Sequence, residues 1–496
     1  MKLRTVTRRA RAADLALVRA VSSSRPLLGD AALRRLSQSA NHSRLWIVVS
    51  LALAASGGSR RRAAVRGLLS VVGASALANG LLKPIFPRDR PPVDSAPVLR
   101  RLLDPPLSSS FPSGHSASAA AFAAGVALES PAAGLAIAPL AAAVAYSRVH
   151  VGVHWPSDVV AGAALGTAVA LSTRRWWAVR SEDPAELASG GNAPALPGGE
   201  GMVILVNPSA GVRDSDQNTA GIVAMLEEHL PKAELFEPDT DRDFAEQLTE
   251  RIGADTQALG VCGGDGTVAT AVGVAIEAGL PLAVFPGGTL NHFARDTGLV
   301  DVEACARGIE TGESAMADIG HVSVDDEPGR YFINTASMGG YPDSVLLRDE
   351  WEPKIGKWPA AAAAMVAVLA VAKPLVVSID GRRESIWMIF VGNGKYAPAD
   401  QVPMSRPSMS GGVLDIRYLR ANMKLSRTRL LFAALTGTLG SSPTYTHLRE
   451  PSIRVQDLQK TLTVAVDGEV YGEGRAFEFD ARPSLLTLYQ PVGNKS

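Results

Sequence analysis

The chain contains little cysteine and no excess of charge of either sign. Two cysteines, Cys262 and Cys305, occur among 496 residues, which excludes a disulfide framework and fits a reducing compartment for the second half of the chain. Lysine plus arginine and aspartate plus glutamate both number 49, so the zero net charge gives no indication of a nucleic-acid partner. The basic N-terminus is not followed by an apolar stretch with a small-residue cleavage site, and we therefore expect no signal peptide.

The charged residues are distributed unevenly. Residues 115–172 are almost uncharged, whereas residues 200–496 have the mixed charge of a soluble protein. Alanine and glycine dominate the apolar runs, as in closely packed membrane helices, although buried helices of a soluble protein are an alternative. The runs occupy residues 45–57, 64–82, 115–129, 131–147 and 157–173. We expect five spans, and a sixth stays open because the first run is short for the roughly 20 residues that a span needs.

Beyond residue 200 strands and helices alternate, which favours a layered α/β lobe. After a strand beginning at Met202, helices are predicted near 217–230, 242–253 and 267–278, and strands near 233–237, 257–262 and 281–285. From about residue 320 short strands predict a β-rich lobe, at 331–337, 386–392, 413–419, 461–467 and 484–489. The apolar run 359–372 is too short to span a membrane and predicts a core helix.

The expected fold is therefore multidomain. An all-α membrane helical bundle of about five to six spans precedes a two-lobed domain with an α/β lobe and a β-rich lobe. The N-terminal segment is amphipathic, as in helices that lie on a membrane surface. The expected boundaries are the N-terminal segment at 1–43, the bundle at 44–178, a linker rich in proline, glycine and alanine at 179–200, and the two lobes at 201–320 and 321–492.

Arginine clusters predict the orientation of an integral protein of the plasma membrane. Residues 60–62 and 174–175 are all arginine, and placing both clusters inside puts the loops at 83–114 and 148–156 outside. The second half of the chain then lies in the cytoplasm. With five spans the basic N-terminus would lie outside, against the charge rule, and a sixth crossing within residues 13–41 would remove this conflict despite its charges.

Three polar fragments among the apolar runs contain groups that suit a phosphate ester. Lys83, Arg90 and Arg148 can clamp the phosphate oxygens, arginine in bidentate fashion. Ser113 and the amide of Gly114 stand where the 115–129 helix begins, and a helix N-terminus favours an anion. Taken alone, the Pro-Ser-Gly-His fragment would be interpreted as a helix cap.

Two histidines and an aspartate provide the reactive groups. His154 and Asp158 are four residues apart, so at a helix start they share a face and the carboxylate can orient the ring. His154 would be the nucleophile on phosphorus, and His115 the acid that protonates the departing alcohol. His150 is a second histidine in the same region that this scheme does not use.

These three fragments resemble the motifs of the type 2 phosphatidic acid phosphatase superfamily. They read Lys83-x6-Arg90-Pro91, Pro112-Ser113-Gly114-His115 and Ser147-Arg148-x5-His154-x3-Asp158, and the resemblance covers about residues 40–175. It implies cofactor-free dephosphorylation through a phosphohistidine at His154. It also implies substrates such as phosphatidic acid, phosphatidylglycerol phosphate or polyprenyl diphosphate.

A glycine-rich loop follows the strand at 257–262. It reads Gly263-Gly264-Asp265-Gly266-Thr267 and precedes a helix, so its backbone can approach a phosphate closely. The loop lacks the Gly-Lys-Ser/Thr of a Walker motif. Asp265 would handle the metal ion carried by a nucleotide, directly or through water.

This loop and two further fragments resemble the diacylglycerol kinase catalytic family. The fragments are Asn207-Pro208-x2-Gly211 and Gly287-Gly288-Thr289-x-Asn291-x-Phe293-Ala294-Arg295, and the resemblance covers about residues 200–492. Sphingosine kinases and NAD kinases share parts of the pattern. The resemblance implies that ATP, with Mg²⁺, is contacted by Asn207, Gly263 to Thr267, Thr289 and Asn291.

The same resemblance assigns a base on the lipid hydroxyl to Asp467 or Glu469 of a late Asp-Gly-Glu motif, which by itself could equally be a β-turn. The sequence departs from the family pattern at two places. His292 replaces an acidic residue, and the segment 405–415 lacks the acidic pair with which some relatives hold a structural Mg²⁺, so no second metal site is expected.

Three hypotheses follow. The first is a bifunctional membrane enzyme with an outward-facing lipid phosphatase and a cytoplasmic lipid kinase acting on diacylglycerol or a related lipid alcohol. The second keeps the phosphatase and makes the kinase-like half a sensor of lipid or nucleotide. The third, a transporter with a nucleotide-binding regulatory domain, predicts polar residues in mid-span, and the sequence has almost none.

Overall fold

The computed structural model describes residues 2–23, 29–56, 58–175, 177, 179, 183–208, 219–288, 291–340, 347, 350–351, 367–368, 371–457 and 459–491. The chain forms two compact units, Met1–Arg180 and Ser181–Ser496. The first is helical, and the second contains a large mixed sheet with helices.

The first unit is an all-helical bundle. Its helices are α1 Lys2–Ser23, α2 Asp30–Ser39, α3 Arg44–Ala55, α4 Gly58–Ser75, α5 Lys83–Ile85, α6 Gly114–Glu129, α7 Pro131–His150 and α8 Pro156–Ser172. A π-helical segment, Ala76–Leu82, joins α4 to α5. Helix α6 lies at the centre, packed against α4, α7 and α8.

Glycine allows α8 to lie unusually close to α6. A Cβ on Gly162 would lie 2.3 Å from the carbonyl oxygen of Ser113, and one on Gly166 would lie 2.0 Å from that of Ala117. Both distances are shorter than any van der Waals contact, so only glycine fits these positions. This close approach fixes the start of α6 against the start of α8.

Among the described residues, two helical stretches are long and apolar enough to cross a membrane, Ser59–Ile85 and Pro131–His150. Helices α3, α6 and α8 have 12, 16 and 17 residues and are shorter than the ~20 residues of an ordinary span. The structure thus supports two of the five expected spans by length and composition.

The N-terminal segment packs more deeply than its amphipathic pattern predicts. Asp14 of α1 and Asp30 and Ser37 of α2 are buried against the rest of the bundle. Asp30 forms an ion pair with Arg100 at 2.9 Å. Polar residues that the sequence assigns to a surface therefore lie inside this unit.

The second unit begins with the α/β lobe that the alternating pattern predicts. Its elements are β1 Met202–Val206, α9 Thr219–His229, β2 Glu234–Phe236, α10 Phe244–Glu250, β3 Ala258–Gly263, α11 Asp265–Ala278, β4 Leu282–Pro286, α12 His292–Asp296 and α13 Val302–Thr311. The strands are parallel in the order β2-β1-β3-β4. Every residue of β1, β3 and β4 is buried, as in a parallel sheet covered on both faces.

The second lobe is mainly antiparallel. Its elements are β5 Ser314–Val324, β6 Arg330–Phe332, β7 Thr335–Gly339, β8 Leu375–Ile379, β9 Arg382–Asn393, β10 Lys395–Ala397, β11 Ser405–Ser408, β12 Leu414–Arg420, α14 Ser426–Thr436, β13 Tyr445–Glu450, β14 Ser452–Asp457, β15 Leu462–Val466, β16 Glu469–Gly474 and β17 Ala476–Tyr489. The long pair β5–β17 runs through both lobes, because the far end of β17 also pairs with β4 at Leu488 and Leu282.

Three expectations need correction. The lobe boundary between residues 320 and 321 falls inside β5, since this strand pairs with β17 along its length. The predicted strand 331–337 is two strands, β6 and β7. Much of the predicted linker packs on the second unit: Ala185 and Leu196 are buried, and Ala188 forms a bridge with Met316. Most of the predicted helix 359–372 lies outside the described residues.

Candidate functional sites

His154 lies at the centre of the polar site in the first unit. It stands in the turn between α7 and α8, and Asp158 lies in the first turn of α8. The His154 Nδ1 and Asp158 Oδ2 atoms are 3.6 Å apart, slightly beyond hydrogen-bond length. Both side chains are buried, and Asp158 accepts a hydrogen bond of 2.9 Å from the Trp155 N–H. Asp158 therefore faces Nδ1 and leaves Nε2 directed away from it.

Cationic side chains lie beside the free edge of this ring. Arg90 Nη1 is 3.4 Å from His154 Nε2 and donates to the Val153 carbonyl at 2.6 Å. Lys83 and Arg90 both donate to the hydroxyl of Ser108, at 3.3 and 3.4 Å. The sequence predicts this clamp, and the structure brings its members together.

Arg148 completes the cationic group with an unsatisfied donor. It lies in the last turn of α7, not in the following loop where the sequence placed it, and it is 2% exposed. One guanidinium nitrogen donates to the Ser37 hydroxyl of α2. Its Nε is buried and has no hydrogen-bond partner among the described residues. Because an unpaired buried donor is costly, this atom is suited to an incoming anion.

The Pro-Ser-Gly-His fragment forms the N-terminal cap of α6, as its sequence predicts. The Ser113 hydroxyl accepts from the Ser116 N–H at 3.4 Å, and Gly114 is the first helical residue. The Ser113 N–H donates to the carbonyl of Asp158 at 3.0 Å, which ties this cap to α8. His115 Nε2 lies 2.8 Å from Asn41 Oδ1, and because that oxygen only accepts, the ring nitrogen carries the proton.

Burial controls the protonation of His154. Removal from water lowers its pKa to about 4, and the positive charges of Arg148 and Arg90 act in the same direction. The Asp158 carboxylate opposes this shift. The ring is therefore neutral at pH 7, the form with a free electron pair for attack on phosphorus.

The sequence motifs did not identify Arg88 as part of this site, and they left His150 without a role. Arg88 donates to Asp158 Oδ1 at 2.6 Å, and its other nitrogen forms an ion pair with Asp14 Oδ2 at 2.7 Å. His150 lies in the last turn of α7 and has its Nε2 3.0 Å from Asp30 Oδ1. His150 thus contacts a residue of α2 and takes no part in the group around His154.

The polar site of the second unit lies at the carboxyl ends of the parallel strands. Asn207 follows β1, Gly263 ends β3, and the Gly287-Gly288 turn follows β4. The Asn207 amide donates to the Thr267 hydroxyl at 2.9 Å. Ligands bind at this edge in open α/β sheets. The structure brings together the predicted loop residues, whereas Thr289 lies outside the described residues.

The five-residue glycine fragment is divided between three local structures. Gly263 belongs to β3, Gly264 caps α11, and residues 265–267 form the first helical turn. A Cβ on Gly288 would lie 2.4 Å from the Gly264 Cα, so the two turns touch through their backbones. Asn291 holds the second turn by accepting from the Gly288 N–H at 2.9 Å.

Asp265 connects the two turns. Its oxygens accept backbone hydrogen bonds from His292 at 3.0 Å and Phe293 at 2.9 Å, at the start of α12. Each oxygen keeps a further lone pair. The described residues contain no cluster of three His, Cys, Asp or Glu side chains that could hold a metal. The free lone pairs of this one carboxylate suit a Mg²⁺ ion only if the ion takes its other ligands from phosphate and water.

The Asp-Gly-Glu motif is the two-residue turn of the β15–β16 hairpin. Asp467 and Gly468 have φ of +49° and +92°, as in a type I′ turn. The Asp467 carboxylate accepts from the N–H groups of Ile333, Asn334 and Thr335 at 2.8–2.9 Å. Burial raises the pKa of Asp467, and these three donors reduce the shift.

Glu469 lies on the exposed side of the same turn. Its Oε1 is 3.4 Å from the Cβ position of Gly266, so the hairpin places a carboxylate beside the first turn of α11. Arg406 was missed at the sequence level because no motif contains it. It is buried, pairs with Asp296 at 2.9 Å and donates to the Ile333 carbonyl at 2.5 Å, behind the segment that holds Asp467.

Asp415, the lone acid of the segment 405–415, is paired with the side chain of Arg417. Arg417 donates to the Asp415 carboxylate at 2.5 Å and to the carbonyl oxygens of Pro398, Gln401 and Tyr396 at 2.6–3.2 Å. His447 lies 3.0 Å from the same carboxylate. A guanidinium group thus occupies the set of oxygens around the lone acid of this segment.

Comparisons with known proteins match a different family in each half of the chain. The PAP2 superfamily model matches residues 64–182, and the diacylglycerol kinase catalytic domain model matches residues 201–322. Decaprenylphosphoryl-5-phosphoribose phosphatase of Mycolicibacterium smegmatis is 36% identical over 155 residues, covering 30% of this chain and 79% of that protein. Diacylglycerol kinase of Mycobacterium tuberculosis is 28% identical over 308 residues, covering 58% and 95%.

Among solved structures, a putative diacylglycerol kinase from Bacillus anthracis has a TM-score of 0.46 and 22% identity, covering 59% of this chain and 97% of that one. The family assignments rest on the sequence matches, which include His154 in one half and the glycine loop at 263–267 in the other, whereas Asp467 and Glu469 lie beyond the matched residues. The chain belongs to the PAP2 superfamily through residues 64–182 and carries a diacylglycerol kinase catalytic domain at residues 201–322.

Proposed function

We propose that this protein is a bifunctional membrane enzyme that removes phosphate from one lipid and transfers phosphate from ATP to another. The observation that carries the phosphatase half is a buried neutral histidine beside three cationic side chains, one of which, Arg148, has an unpaired buried donor. The kinase half is carried by two glycine turns joined at the carboxyl ends of parallel strands.

In the phosphatase reaction, His154 Nε2 attacks phosphorus while the bond from phosphorus to the lipid oxygen breaks. Lys83, Arg90 and Arg148 hold the three remaining oxygens and stabilise their charge. His115, in its imidazolium form, gives its Nε2 proton to the departing oxygen once Asn41 releases it, and becomes a neutral imidazole. Water then attacks the phosphohistidine, inorganic phosphate leaves, and the proton from that water returns to His115. The substrates are lipid phosphates such as phosphatidic acid, phosphatidylglycerol phosphate or polyprenyl diphosphate.

In the kinase reaction, the hydroxyl of diacylglycerol or a related lipid alcohol attacks the γ-phosphorus of ATP, and ADP leaves. Asn207, residues 263–267, Thr289 and Asn291 bind the nucleotide. Asp265 would hold Mg²⁺, directly or through water, and the ion would supply positive charge against the phosphate oxygens. Asp467 or Glu469 takes the hydroxyl proton. Glu469 is the more accessible of the two, whereas burial raises the pKa of the Asp467 carboxyl above its ordinary value.

The proposed topology has five to six spans, with the phosphatase site facing outward and the kinase in the cytoplasm. The arginines at 60–62 and 174–175 mark the inner side by the charge rule. The two reactions then act on opposite leaflets of the plasma membrane, and a futile cycle is avoided.

The test uses the purified full-length protein in detergent micelles. Phosphate release from phosphatidic acid should occur with the wild type and stop in His154→Ala. Label from γ-³²P-ATP should enter diacylglycerol in His154→Ala and stop when Asp467→Asn and Glu469→Gln are added. A second candidate function is a lipid or nucleotide sensor. It is favoured because three backbone N–H groups already donate to the Asp467 carboxylate, one of the two candidate bases. Active phosphatase without any lipid labelling would support the sensor and contradict the kinase.

A further inference from the structure

The N-terminal helices supply partners to the groups of the phosphatase site. Helix α1 contributes Asp14 to Arg88, α2 contributes Ser37 to Arg148, and the turn after α2 contributes Asn41 to His115. All three lie N-terminal to the residues matched by the PAP2 model, 64–182. The site is therefore built partly from a segment outside the matched family region.

Asp14 has the most extensive contacts of these three residues. It is 3% exposed, and its two oxygens accept from Arg88 Nη2 at 2.7 Å, the Ser157 hydroxyl at 2.6 Å and the Ser157 N–H at 2.9 Å. Ser157 is the second residue of α8, so Asp14 caps this helix from another element. The residue before α8, Trp155, has no side-chain oxygen with which to cap it.

These contacts form a continuous path to the reacting ring. Arg88 bridges two carboxylates, Asp14 at 2.7 Å and Asp158 at 2.6 Å. Asp158 in turn faces His154 Nδ1 at 3.6 Å. A carboxylate can stabilise positive charge on the imidazole only to the extent that other cations do not neutralise it. Because Arg88 is also paired with Asp14, it neutralises less of the Asp158 charge. More of that negative charge therefore acts on the His154 ring.

We propose that Asp14 is a positioning residue of the phosphatase site, acting through Arg88 and Ser157 to hold Asp158 in place and charged opposite His154. This proposal rests on the proposed phosphatase function. It assigns to α1 a task in the reaction: when His154 attacks phosphorus, the ring becomes positively charged, and the Asp14–Arg88–Asp158 path determines how well that charge is balanced. Substrate binding is largely independent of this path, because the phosphate clamp comprises Lys83, Arg90 and Arg148.

Loss of the Asp14 carboxylate should lower kcat and leave KM nearly unchanged. In the full-length protein acting on phosphatidic acid in mixed micelles, Asp14→Asn should lower kcat about tenfold, with KM within about twofold of wild type, since a tenfold loss is ~1.4 kcal/mol of barrier. Asp14→Glu restores the carboxylate and should recover most of the rate. The matched control is Asp30→Asn in α2. Asp30 is a similarly buried acid that pairs with Arg100, and its substitution should leave kcat unchanged.

A double-variant cycle tests the path itself. In an Arg88→Met background, Asp14→Asn should change kcat by about threefold or less, because the route through Arg88 is gone and only the contacts with Ser157 are left. An undiminished tenfold effect there, or equal losses in Asp14→Asn and Asp30→Asn, would overturn the proposal. If Asp14→Asn does not fold, Ser157→Ala removes one of its donors without leaving a buried charge. That variant should lose roughly threefold in kcat, and a wild-type rate would overturn the proposal.

The controls also separate this proposal from the phosphatase function. Wild-type protein that releases no more phosphate than His154→Ala overturns the phosphatase and the role of Asp14 with it. If the wild type is active and Asp14→Asn has an unchanged kcat, only the proposed role of Asp14 is overturned.

Discussion

Substituting Gly288 by alanine should separate the two turns of the kinase site. The new Cβ would lie 2.4 Å from the Gly264 Cα and 2.9 Å from Asn291 Oδ1. Carbon atoms in contact prefer about 3.5–4.0 Å, so the turns must move apart by about 1 Å. Both turns follow fully buried strands, β3 and β4, and the Gly287 N–H donates to the Gly263 carbonyl at 3.2 Å. The strain therefore falls on the turns themselves.

A displacement of this size should be severe for phosphoryl transfer, which depends on positioning. An error of 1 Å at a reacting centre can cost about 100-fold in rate, and we expect a loss of that order for Gly288→Ala. The assay is transfer of label from γ-³²P-ATP to diacylglycerol, measured in a His154→Ala background so that the phosphatase cannot remove the product.

The chain offers a matched control in the adjacent helix. A Cβ on Gly273 of α11 would meet no atom within 4 Å, and alanine is favoured over glycine in a helix by roughly 0.5–1 kcal/mol. Gly273→Ala should therefore keep full kinase activity and unfold at an equal or higher temperature. If Gly288→Ala retained activity within about threefold of its background, close contact of the two turns would not matter, and the reasoning would be refuted.

Three further predictions concern both sites. Because burial lowers the pKa of His154 to about 4, the ring stays neutral as the pH falls from 7 to 5. Once the ionisation of the substrate's own phosphate is allowed for, the phosphatase kcat/KM should be constant over that range and decline only near pH 4. A remaining decline centred near 6.5 would contradict the burial of this ring. The new Cβ of Gly162→Ala would lie 2.3 Å from the Ser113 carbonyl oxygen, so this variant should lower phosphatase activity at least tenfold. An unchanged rate would show that α8 can shift freely. Burial raises the pKa of the Cys262 thiol to about 12, so a maleimide at pH 8 should label it only after unfolding, and rapid labelling of the native protein would contradict this burial.

Motif spacing predicted the parts of each site that are local in sequence. The four-residue interval from His154 to Asp158 predicted that both would lie at one helix start, and the helix begins at Pro156. The glycine fragment predicted a strand followed by a helix, because glycine permits the close backbone contact between Gly264 and Gly288. Such short-range features depend on few residues, and their physical requirements are visible in the sequence.

Long-range partners were not predictable from the sequence in the same way. Asp14 and Ser157 are 143 residues apart, and nothing in an amphipathic helix indicates which of its acids will be buried. The composition of residues 179–200 is that of a linker, yet Leu196 is buried, since tertiary packing selects individual apolar residues. The predicted lobe boundary between residues 320 and 321 falls inside β5, because this strand continues from one lobe to the other by pairing with β17.

The central claim is that one chain carries two independent phosphate-transfer sites. The most direct measurement compares four full-length proteins, namely wild type, His154→Ala, Gly288→Ala and the double variant, for phosphate release from phosphatidic acid and for labelling of diacylglycerol by ATP. His154→Ala should abolish release alone, Gly288→Ala should lower labelling alone by about 100-fold, and the double variant should show both losses. Loss of both activities from either well-folded single variant, or labelling in the double variant as strong as in His154→Ala, would contradict two independent sites.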